Sequence, residues 1–230
     1  MHLGVGWAML DAQAGDNRPH RHLAHQISLA LEGECQIITS DRLRLTRGEA
    51  ALIPAGLTHR LEPSGAALRT IYIDPMFRGT RGLVGDQAIT RLAEREAIAL
   101  SAVRCGAGAR RWIKAYTSAL PSRAIDHRLQ IKLASIEPGM RPAALARNMG
   151  LSSARLRELA IRDFGVPTSK LLQWRQLQHA ILALCQSHSL AHAAAAGAFS
   201  DQAHFTRRLV EWFGVTPSVG LTGFEISVVR

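Results

Sequence analysis

The sequence has few cysteines and no long apolar run. Its three cysteines, Cys35, Cys105 and Cys185, are 70 and 80 residues apart, and this spacing fits neither a zinc finger nor a disulfide framework. We expect them to be small buried residues. No apolar run reaches the length of a membrane span, and residues 1–20 lack the order of a signal peptide. The sequence therefore predicts a soluble, cytoplasmic protein without a membrane partner.

Lysine is also scarce, although the chain is basic. The formal net charge is +10, which favours an anionic partner such as nucleic acid or a membrane surface. Residues 1–124 and residues 125–230 each carry +5, so the charge does not locate a site. Only three of the 28 basic residues are lysine. Arginine suits bidentate contacts to phosphate and guanine, but a GC-rich genome would produce the same bias.

Period-two patterns of apolar residues occupy the first 74 residues or so. Such patterns place one set of side chains on one face of a strand. Turn signals separate them at residues 15–17, 32–33, 48 and 54–56. Several short strands at close spacing predict a small antiparallel barrel or sandwich. The alternating residues are Leu3, Val5, Trp7 and Met9, then Ile27, Leu29 and Leu31, then Leu43 and Leu45.

The pattern becomes helical after a glycine-rich boundary segment at residues 77–85. We predict helices over residues 89–103 and 112–120, and only helices and short turns from residue 124 onward. Strands followed by helices indicate an α+β chain of two domains. The predicted divisions are a β-domain at residues 1–80, a helical linker or dimerisation region at 81–123, and an all-α domain at 124–230.

Two similar helical pairs lie in the all-α region, at about residues 142–164 and 189–213. Ser152 and Ser200 are the predicted N-caps of the second helix in each pair, and Gly165 and Gly214 are the predicted stops. Two helices joined by a short glycine-containing turn form the helix-turn-helix pattern. The strings MGLSSARL…FGVPTS and GAFSDQAHF…FGVTPS lie about 47 residues apart. This recurrence indicates an internal duplication.

Residues 124–221 resemble the DNA-binding domain of AraC/XylS-type transcription regulators. The resemblance implies two recognition helices that enter successive major-groove segments, about 34 Å apart. Small departures from the family pattern occur at Ala160, Ala193 and Ala198, and Gln176 replaces a usual arginine. The matching residues include Leu145-Ala146, Gly150-Leu151-Ser152, Leu156, Phe164-Gly165-Val166, Phe199-Ser200-Asp201-Gln202, His204-Phe205 and Phe213-Gly214-Val215-Thr216-Pro217-Ser218.

This resemblance, carried over by position, assigns the residues that would contact DNA. The chemistry suits base recognition, because arginine can bridge guanine O6 and N7, glutamine can pair with adenine, and glutamate can accept from cytosine N4. The alternative for each residue is a solvated helix face, and arginines contact phosphate at least as often as bases. The expected residues are Ser153, Ala154, Arg157 and Glu158 in the first helix, and Gln202, His204, Arg207 and Arg208 in the second.

Four polar residues in the β-domain resemble the paired motifs of the cupin barrel. His20, His22 and His59 stand where metal-binding cupins have histidine ligands, and Gln26 stands where they have glutamate. Three imidazoles suit a divalent transition metal, but an amide is a poorer ligand than a carboxylate. The alternative is a metal-free pocket that keeps only the turn geometry. The fold expected is thus a cupin-like antiparallel β-barrel followed by an all-α domain with two helix-turn-helix units.

The two resemblances together imply a function. We expect a sequence-specific transcription regulator that is not an enzyme, binds an operator in double-stranded DNA, and is controlled by a small-molecule effector in the barrel. The family also implies that helices after the barrel can form a homodimer. Two alternatives use His20, His22 and His59, namely a cupin metalloenzyme and a metal-responsive sensor.

Overall fold

The chain forms two compact units, one built mainly from residues 1–123 and the other mainly from residues 124–211. The computed structural model describes residues 1–4, 6–13, 17–74, 77, 88–120, 125–214 and 227–229. Most of the predicted boundary segment at 77–85 lies outside these described residues.

In the residues that the structure describes, the first unit contains a sheet of eight strands, and every pairing in it is antiparallel except that of β8 with β1. The order of its strands is β7-β5-β3-β6-β2-β1-β8, with β4 paired to β3, and the predicted antiparallel β-domain is thereby confirmed. The strands are β1 His2–Gly4, β2 Trp7–Gln13, β3 His25–Ile38, β4 Arg42–Thr46, β5 Ala50–Ile53, β6 Arg60–Ile73, β7 Thr90–Arg91 and β8 Ser227–Val229.

The alternation of side chains along β3 divides the sheet into two differently used faces. Ile27 and Leu29 belong to a core that also contains Ala97 and Ile113, from the helices α1 (Glu94–Ser101) and α2 (Gly106–Ser118). Ala30, on the opposite side of β3, belongs to a second core with members from β4, β5 and β6. Gln26 and Ser28 have the same parity as Ala30 and share its face. The domain thus has a helix-covered face and an inner face that carries polar groups.

The structure corrects two of the strand and turn predictions. Of the alternating residues, Leu3 lies in β1 and Trp7 and Met9 lie in β2, and these two strands pair antiparallel with Gly4 opposite Trp7. Val5 lies outside the described residues. The predicted turn at residues 32–33 is a β-bulge within β3, where the register with β6 shifts on both sides of Glu32. Gly33 has φ +66°, a conformation that suits a bulge as well as a turn, so the sequence could not separate the two.

The two helices of the first unit begin at different residues from those predicted. α1 begins at Glu94, after the short strand β7, whereas the sequence predicted a helix from residue 89. α2 begins at Gly106, before the predicted start at residue 112. Gly106 and Gly108 weaken the helical pattern, but packing of Ala109 and Ile113 into the core stabilises this first part of the helix.

The second unit is helical, as the sequence predicted. Its long helix buries Trp174, Leu177 and Leu184 from the predicted stripe and leaves Ile181 half-buried. Within the described ranges, no helix has the length and apolar character needed to cross a membrane. The helices are α3 His127–Ala134, α4 Pro142–Asn148, α5 Ser153–Phe164, α6 Thr168–Ser187, α7 Leu190–Ala196 and α8 Gln202–Phe213.

The end of the chain differs from the sequence prediction of helices throughout residues 124–230. Strand β8 pairs in parallel with β1, with His2 opposite Ser227, and belongs to the first unit. Three residues are too few for an alternating pattern to be recognised, so only the tertiary pairing reveals this strand.

Candidate nucleic-acid interface and histidine cluster

The first helix-turn-helix unit consists of α4 and α5. The Ser152 side chain accepts a hydrogen bond from the Arg155 backbone N–H at 3.1 Å, which confirms the predicted N-cap. The helix ends at Gly165, whose φ of 73° is left-handed. The predicted inward residues are all buried, namely Leu156, Leu159, Ala160 and Phe164.

The outward face of α5 contains all four residues predicted to contact DNA. Ser153, Ala154, Arg157 and Glu158 are exposed. Glu158 accepts a hydrogen bond from Arg155 at 3.0 Å, so its carboxylate already has a partner. Arg157 makes no hydrogen bond or ion pair with any residue that the structure describes, and its guanidinium is free to contact DNA.

The second unit repeats the turn of the first and then has one extra residue before its second helix. The Leu151 N–H donates to the Ala146 carbonyl at 2.9 Å, and the Phe199 N–H donates to the Ala194 carbonyl at 2.9 Å. These matched bonds make Ala198, with φ 55°, the counterpart of Gly150, with φ +67°.

The sequence predicted Ser200 as the N-cap of α8, but because of the extra residue the N-cap is Asp201. The Asp201 carboxylate accepts from the backbone N–H of His204 at 2.6 Å. Ser200 instead bonds to the side chains of Asp201 and His204 at 3.1 Å each. Aligning the two repeats without the insertion places the cap one residue too early.

The outward face of α8 divides into engaged and free side chains. His204 is half-buried, with Nδ1 against Ser200 and its ring edge-on to Phe199 at 5.2 Å. Arg208 donates to Glu211. Gln202 and Arg207 are exposed, and neither makes a hydrogen bond or an ion pair within 4 Å among the described residues. The pKa of Asp201 is lowered mainly by its hydrogen bonds from the His204 N–H and Ser200, and the charge of Arg207 contributes to the same shift. Of the residues predicted for this helix, these two are the most available to DNA.

The buried side of α8 differs from prediction by one residue. Phe205 and Leu209 are buried as predicted. Phe213, predicted to point inward, is half-buried, and Trp212 is buried instead. Both aromatics lie within one turn of Leu209, and periodicity alone cannot choose between such neighbours.

The long helix α6 contacts elements on either side of it through two adjacent polar residues. Arg175 donates to the carbonyl of Ala134, at the end of α3, at 2.9 Å. Gln176 donates to the carbonyl of Ala198, in the turn of the second unit, at 3.3 Å. A Cβ at Gly197 would lie 2.7 Å from the backbone oxygen of Gln176. Gln176 is therefore a structural contact, although it departs from the family pattern.

Sequence reasoning missed Asp163, an acidic residue inside the first unit. Its side chain is 0% exposed and pairs with Arg162 through both carboxylate oxygens, at 2.6 and 3.0 Å. It also accepts from the backbone N–H of Asp126, next to α3, at 2.8 Å. A buried carboxylate is tolerated when it is paired and hydrogen-bonded in this way. Its position between the buried residues Ala160 and Phe164 is the signal that could have identified it.

The three cupin-motif histidines come together in the first unit, and all are buried. His20 and His59 face each other across an antiparallel bridge with N–H···O distances of 3.0 and 2.9 Å. One candidate ligand atom from each of His20, His22 and His59 lies within 4.8 Å of the other two. The Nδ1 atoms of these rings lie 2.9, 2.7 and 3.0 Å from the backbone carbonyls of Arg18, Ala24 and Leu57, respectively.

Gln26 lies beside this cluster, as predicted. Its Oε1 is 3.0 Å from His22 Nε2 and 3.3 Å from His59 Nε2. Its amide nitrogen is 2.9 Å from Ser28 Oγ. The structure thus brings together all four residues that the cupin resemblance assigned to a metal site.

Burial keeps the cluster uncharged at neutral pH. Desolvation, together with smaller contributions from neighbouring histidines, lowers the pKa of His22 from 6.5 to about 4 and that of His59 to about 3. Desolvation also lowers the pKa of His20. Neutral imidazole is the form that binds metals. The arrangement can therefore accept a cation or a hydrogen-bond donor, and it is poorly suited to an anion.

Comparisons with known protein families give matches in both units. The family model described as a helix-turn-helix domain matches residues 145–221. The family model described as an AraC-like ligand-binding domain matches residues 11–101. The chain is a member of the AraC family. This regulator therefore combines a DNA-binding helix-turn-helix domain with a ligand-binding domain, as the sequence predicted.

Solved structures of the Vibrio cholerae protein ToxT share the fold of this AraC-family chain. One ToxT structure has a TM-score of 0.65 and 12% sequence identity, and covers 95% of this chain and 99% of the ToxT chain. A structure of ToxT bound to an unsaturated fatty acid has a TM-score of 0.60 and 11% identity, and covers 92% of both chains. No curated protein sequence matches the chain significantly. At such low identity these likenesses concern the fold alone.

Proposed function

We propose that this AraC-family regulator binds its operator through α5 and α8, with Arg157 and Arg207 as the principal DNA-contacting side chains. The observation that carries this assignment is the difference among the arginines on these two helices. Arg155 and Arg208 are paired with glutamates one turn further on. Arg157 and Arg207 are exposed and free of such partners within the described parts of the chain, so DNA binding need not break an ion pair.

The remaining predicted contacts have different roles in this proposal. Ser153, Ala154 and Gln202, at the starts of α5 and α8, are exposed and small or uncharged, so they fit close approach to base edges. The Glu158 carboxylate must release the Arg155 guanidinium before it can accept a hydrogen bond from a cytosine base. His204 mainly stabilises the start of α8.

Contacts from α6 support a fixed separation between the two recognition helices. Arg175 contacts the end of α3, and Gln176 contacts the turn before α8. A fixed separation favours one operator spacing, with two half-elements about one helical turn (~34 Å) apart.

Selection of bound duplexes from a random DNA pool, at near-physiological salt, tests the function. We expect a motif with two half-elements at that spacing. Binding that is diffuse, and equal for all sequences, would contradict sequence-specific recognition.

Exchange of single arginines tests the residue assignment. Arg207→Ala should weaken operator binding by about 1–3 kcal/mol. Arg208→Ala, at the adjacent residue, is the matched control and should have a much smaller effect. If Arg207 contacts a base, specificity at one base pair should relax. If it contacts phosphate, the salt dependence should decrease equally for all sequences. Equal losses in the two variants would contradict the assignment.

We also propose that a ligand on the inner face of the β-domain controls DNA binding. In this proposal the chain acts by binding and not by catalysis. Its place of action is the cytoplasm, where its DNA is found. The matched ligand-binding family and the fatty-acid-bound ToxT structure support control by a ligand. Such control requires a ligand that binds two states of the protein with different affinity.

Homodimerisation through residues 81–123 stays a prediction. Ile98 on α1 is 59% exposed, which fits a self-association surface. Sedimentation of an Ile98→Glu variant beside the wild type tests this, and an oligomer that withstands the substitution would contradict it.

A further inference from the structure

The helix α2 of the first unit has basic residues on its exposed side and no acidic residue. Residues 97–125 contain five basic residues and neither Asp nor Glu. Arg110, Arg111 and Lys114 are exposed, and at about 100° per residue they lie within an arc of about 100° on the helix. Ile113 lies on the other side of α2, in the core of the first unit. The three basic residues therefore form one surface, the basic face of α2.

Two of these three side chains have no partner within the described residues. The side chains of Arg111 and Lys114 make no hydrogen bond or ion pair with any residue in those ranges. An acidic residue of α1, Glu96, acts on a different side of α2, because burial and, to a smaller extent, the Glu96 charge raise the pKa of Tyr116 to about 12. Tyr116 is two residues after Lys114 and points about 160° away from it. The two cations are thus available to an external anion.

Other basic residues of the first unit are arranged differently. Arg91, for example, pairs with Glu49 at 2.8 Å. Arg111 and Lys114 are instead three residues apart in α2, so their nearest charged neighbours on the helix surface have the same sign, and like charges at such spacing destabilise a helix. A polyanion beside the helix would remove this repulsion.

We propose that the basic face of α2 contacts phosphates of the duplex DNA that flanks the operator. This inference rests on the DNA-binding function proposed above. Duplex DNA carries about one negative charge per 1.7 Å of its axis, so the two neighbouring cations, Arg111 and Lys114, can each have a phosphate within reach. Phosphate contacts add affinity but carry no sequence information directly. The basic face should therefore strengthen binding without changing which operator is selected.

The connection between α2 and the DNA-binding domain is short enough for this contact. α2 ends at Ser118 and α3 begins at His127, and a chain of this length spans at most about 32 Å when fully extended. One turn of DNA is about 34 Å long. The connection thus keeps the end of α2 within about one helical turn of the start of the DNA-binding domain, and a duplex longer than the operator offers phosphates at that range.

The residues around the basic face favour DNA over an anionic membrane surface. Helices that lie on membranes bury large apolar residues among the lipid headgroups. Ile113 of α2 is in the protein core, whereas Ala107, Ala115 and Ser118, next to the basic residues, are small and exposed. This surface therefore offers charge but little apolar area, and contact with phosphates requires only charge.

Two operator duplexes test this contact with the purified full chain. One contains only the selected motif, and the other extends it by about two helical turns on each side. For the wild type we expect tighter binding of the extended duplex, with a slope of log affinity against log salt that is steeper by about 1.8, since each phosphate contact contributes about 0.9. The advantage of the extended duplex should consequently decrease roughly twelvefold between about 50 and 200 mM salt.

Charge exchanges on α2 test the residues. Arg111→Gln combined with Lys114→Gln removes both charges and keeps residues of similar helix propensity, and this double variant should lose the advantage of the extended duplex. Arg42→Gln combined with Arg47→Gln is the matched control, because these exposed residues also belong to the first unit and the change in net charge is equal; it should keep the advantage. Ser118→Lys adds a charge beside the basic face and should increase the slope by about 0.9.

Equal binding of the extended duplex by the α2 double variant and the wild type would overturn the proposal. An equal loss in the Arg42 and Arg47 control would overturn it too, because net charge alone would then explain the effect. Thermal transitions check that each variant folds, and Ser118→Lys gives an independent result because it keeps both original charges. Binding to vesicles of anionic lipid that requires Arg111 and Lys114, without any effect of the DNA extension, would assign the face to a membrane instead. Failure of the wild type to bind either duplex specifically would contradict the function proposed above.

Discussion

Ala198, in the turn of the second helix-turn-helix unit, is in the left-handed conformation with φ 55°. Its counterpart in the first unit, Gly150, has φ +67° and no Cβ to strain. An L-residue in this conformation is destabilised by roughly 1–2 kcal/mol. We therefore expect Ala198→Gly to stabilise the second unit.

The net effect is smaller than the strain, because glycine also gains entropy in the unfolded chain. That gain is about 0.4–1 kcal/mol for an Ala→Gly exchange. Ala198 is exposed, so little packing is lost when its methyl group is removed. The expected increase in the free energy of unfolding is about 0.5–1 kcal/mol, or a Tm increase of about 1–4 °C.

Urea denaturation of the variant beside the wild type measures this change, and operator affinity should be unaltered. Gly150→Ala is the matched opposite exchange. A Cβ at Gly150 would meet nothing within 4 Å, so only backbone strain acts, and we expect a loss of about 0.5–1 kcal/mol by the same opposing terms. The reasoning is refuted if Ala198→Gly destabilises the protein or Gly150→Ala leaves it unchanged.

Two further stability predictions follow from burial. Leu156→Asp should destabilise the first helix-turn-helix unit by at least about 3 kcal/mol, because it removes a buried leucine and buries an unpaired carboxylate; a normal thermal transition together with normal operator binding would show that this face of α5 is not in the core. Stability in metal-free buffer should fall as the pH decreases from 6.5 towards 4, because His22 and His25 have a pKa of about 4 when folded against 6.5 when unfolded, so the unfolded chain binds protons first. The loss at pH 5 should be about 2 kcal/mol for each ring; urea denaturation that gives equal stability at pH 7 and pH 5 would mean that these rings are solvated in the folded state.

Local patterns in the sequence were sufficient to predict the order of the domains and both helix-turn-helix units. The apolar spacing of Leu156, Leu159 and Phe164 and the cap at Ser152 depend on neighbours within two turns of helix, so adjacent residues contain the necessary information. The histidine cluster was predicted from the resemblance to the paired cupin motifs, which His20, His22 and His59 match.

Only the tertiary structure decided which side chains have partners. Arg155 has a glutamate three residues further on in the sequence and Arg157 has none three or four residues away, whereas Glu211 lies within one turn of both Arg207 and Arg208. Only the structure shows that Glu211 pairs with Arg208. The buried Asp163 carboxylate accepts a hydrogen bond from the backbone N–H of Asp126, which is 37 residues away in the chain.

Tertiary pairing likewise determined the secondary structure of short or ambiguous segments. Strand β8 exists because β1 offers it unpaired backbone groups, and the bulge at Gly33 exists because β6 continues alongside β3. The sequence by itself determined the regular elements and the residue types at the two candidate sites, because these depend on local propensity and spacing. The contact of Gln26 with His59 and the hydrogen bond of Asp163 with the backbone of Asp126 join groups that are 33 and 37 residues apart in the chain, and only the folded structure brings such groups together.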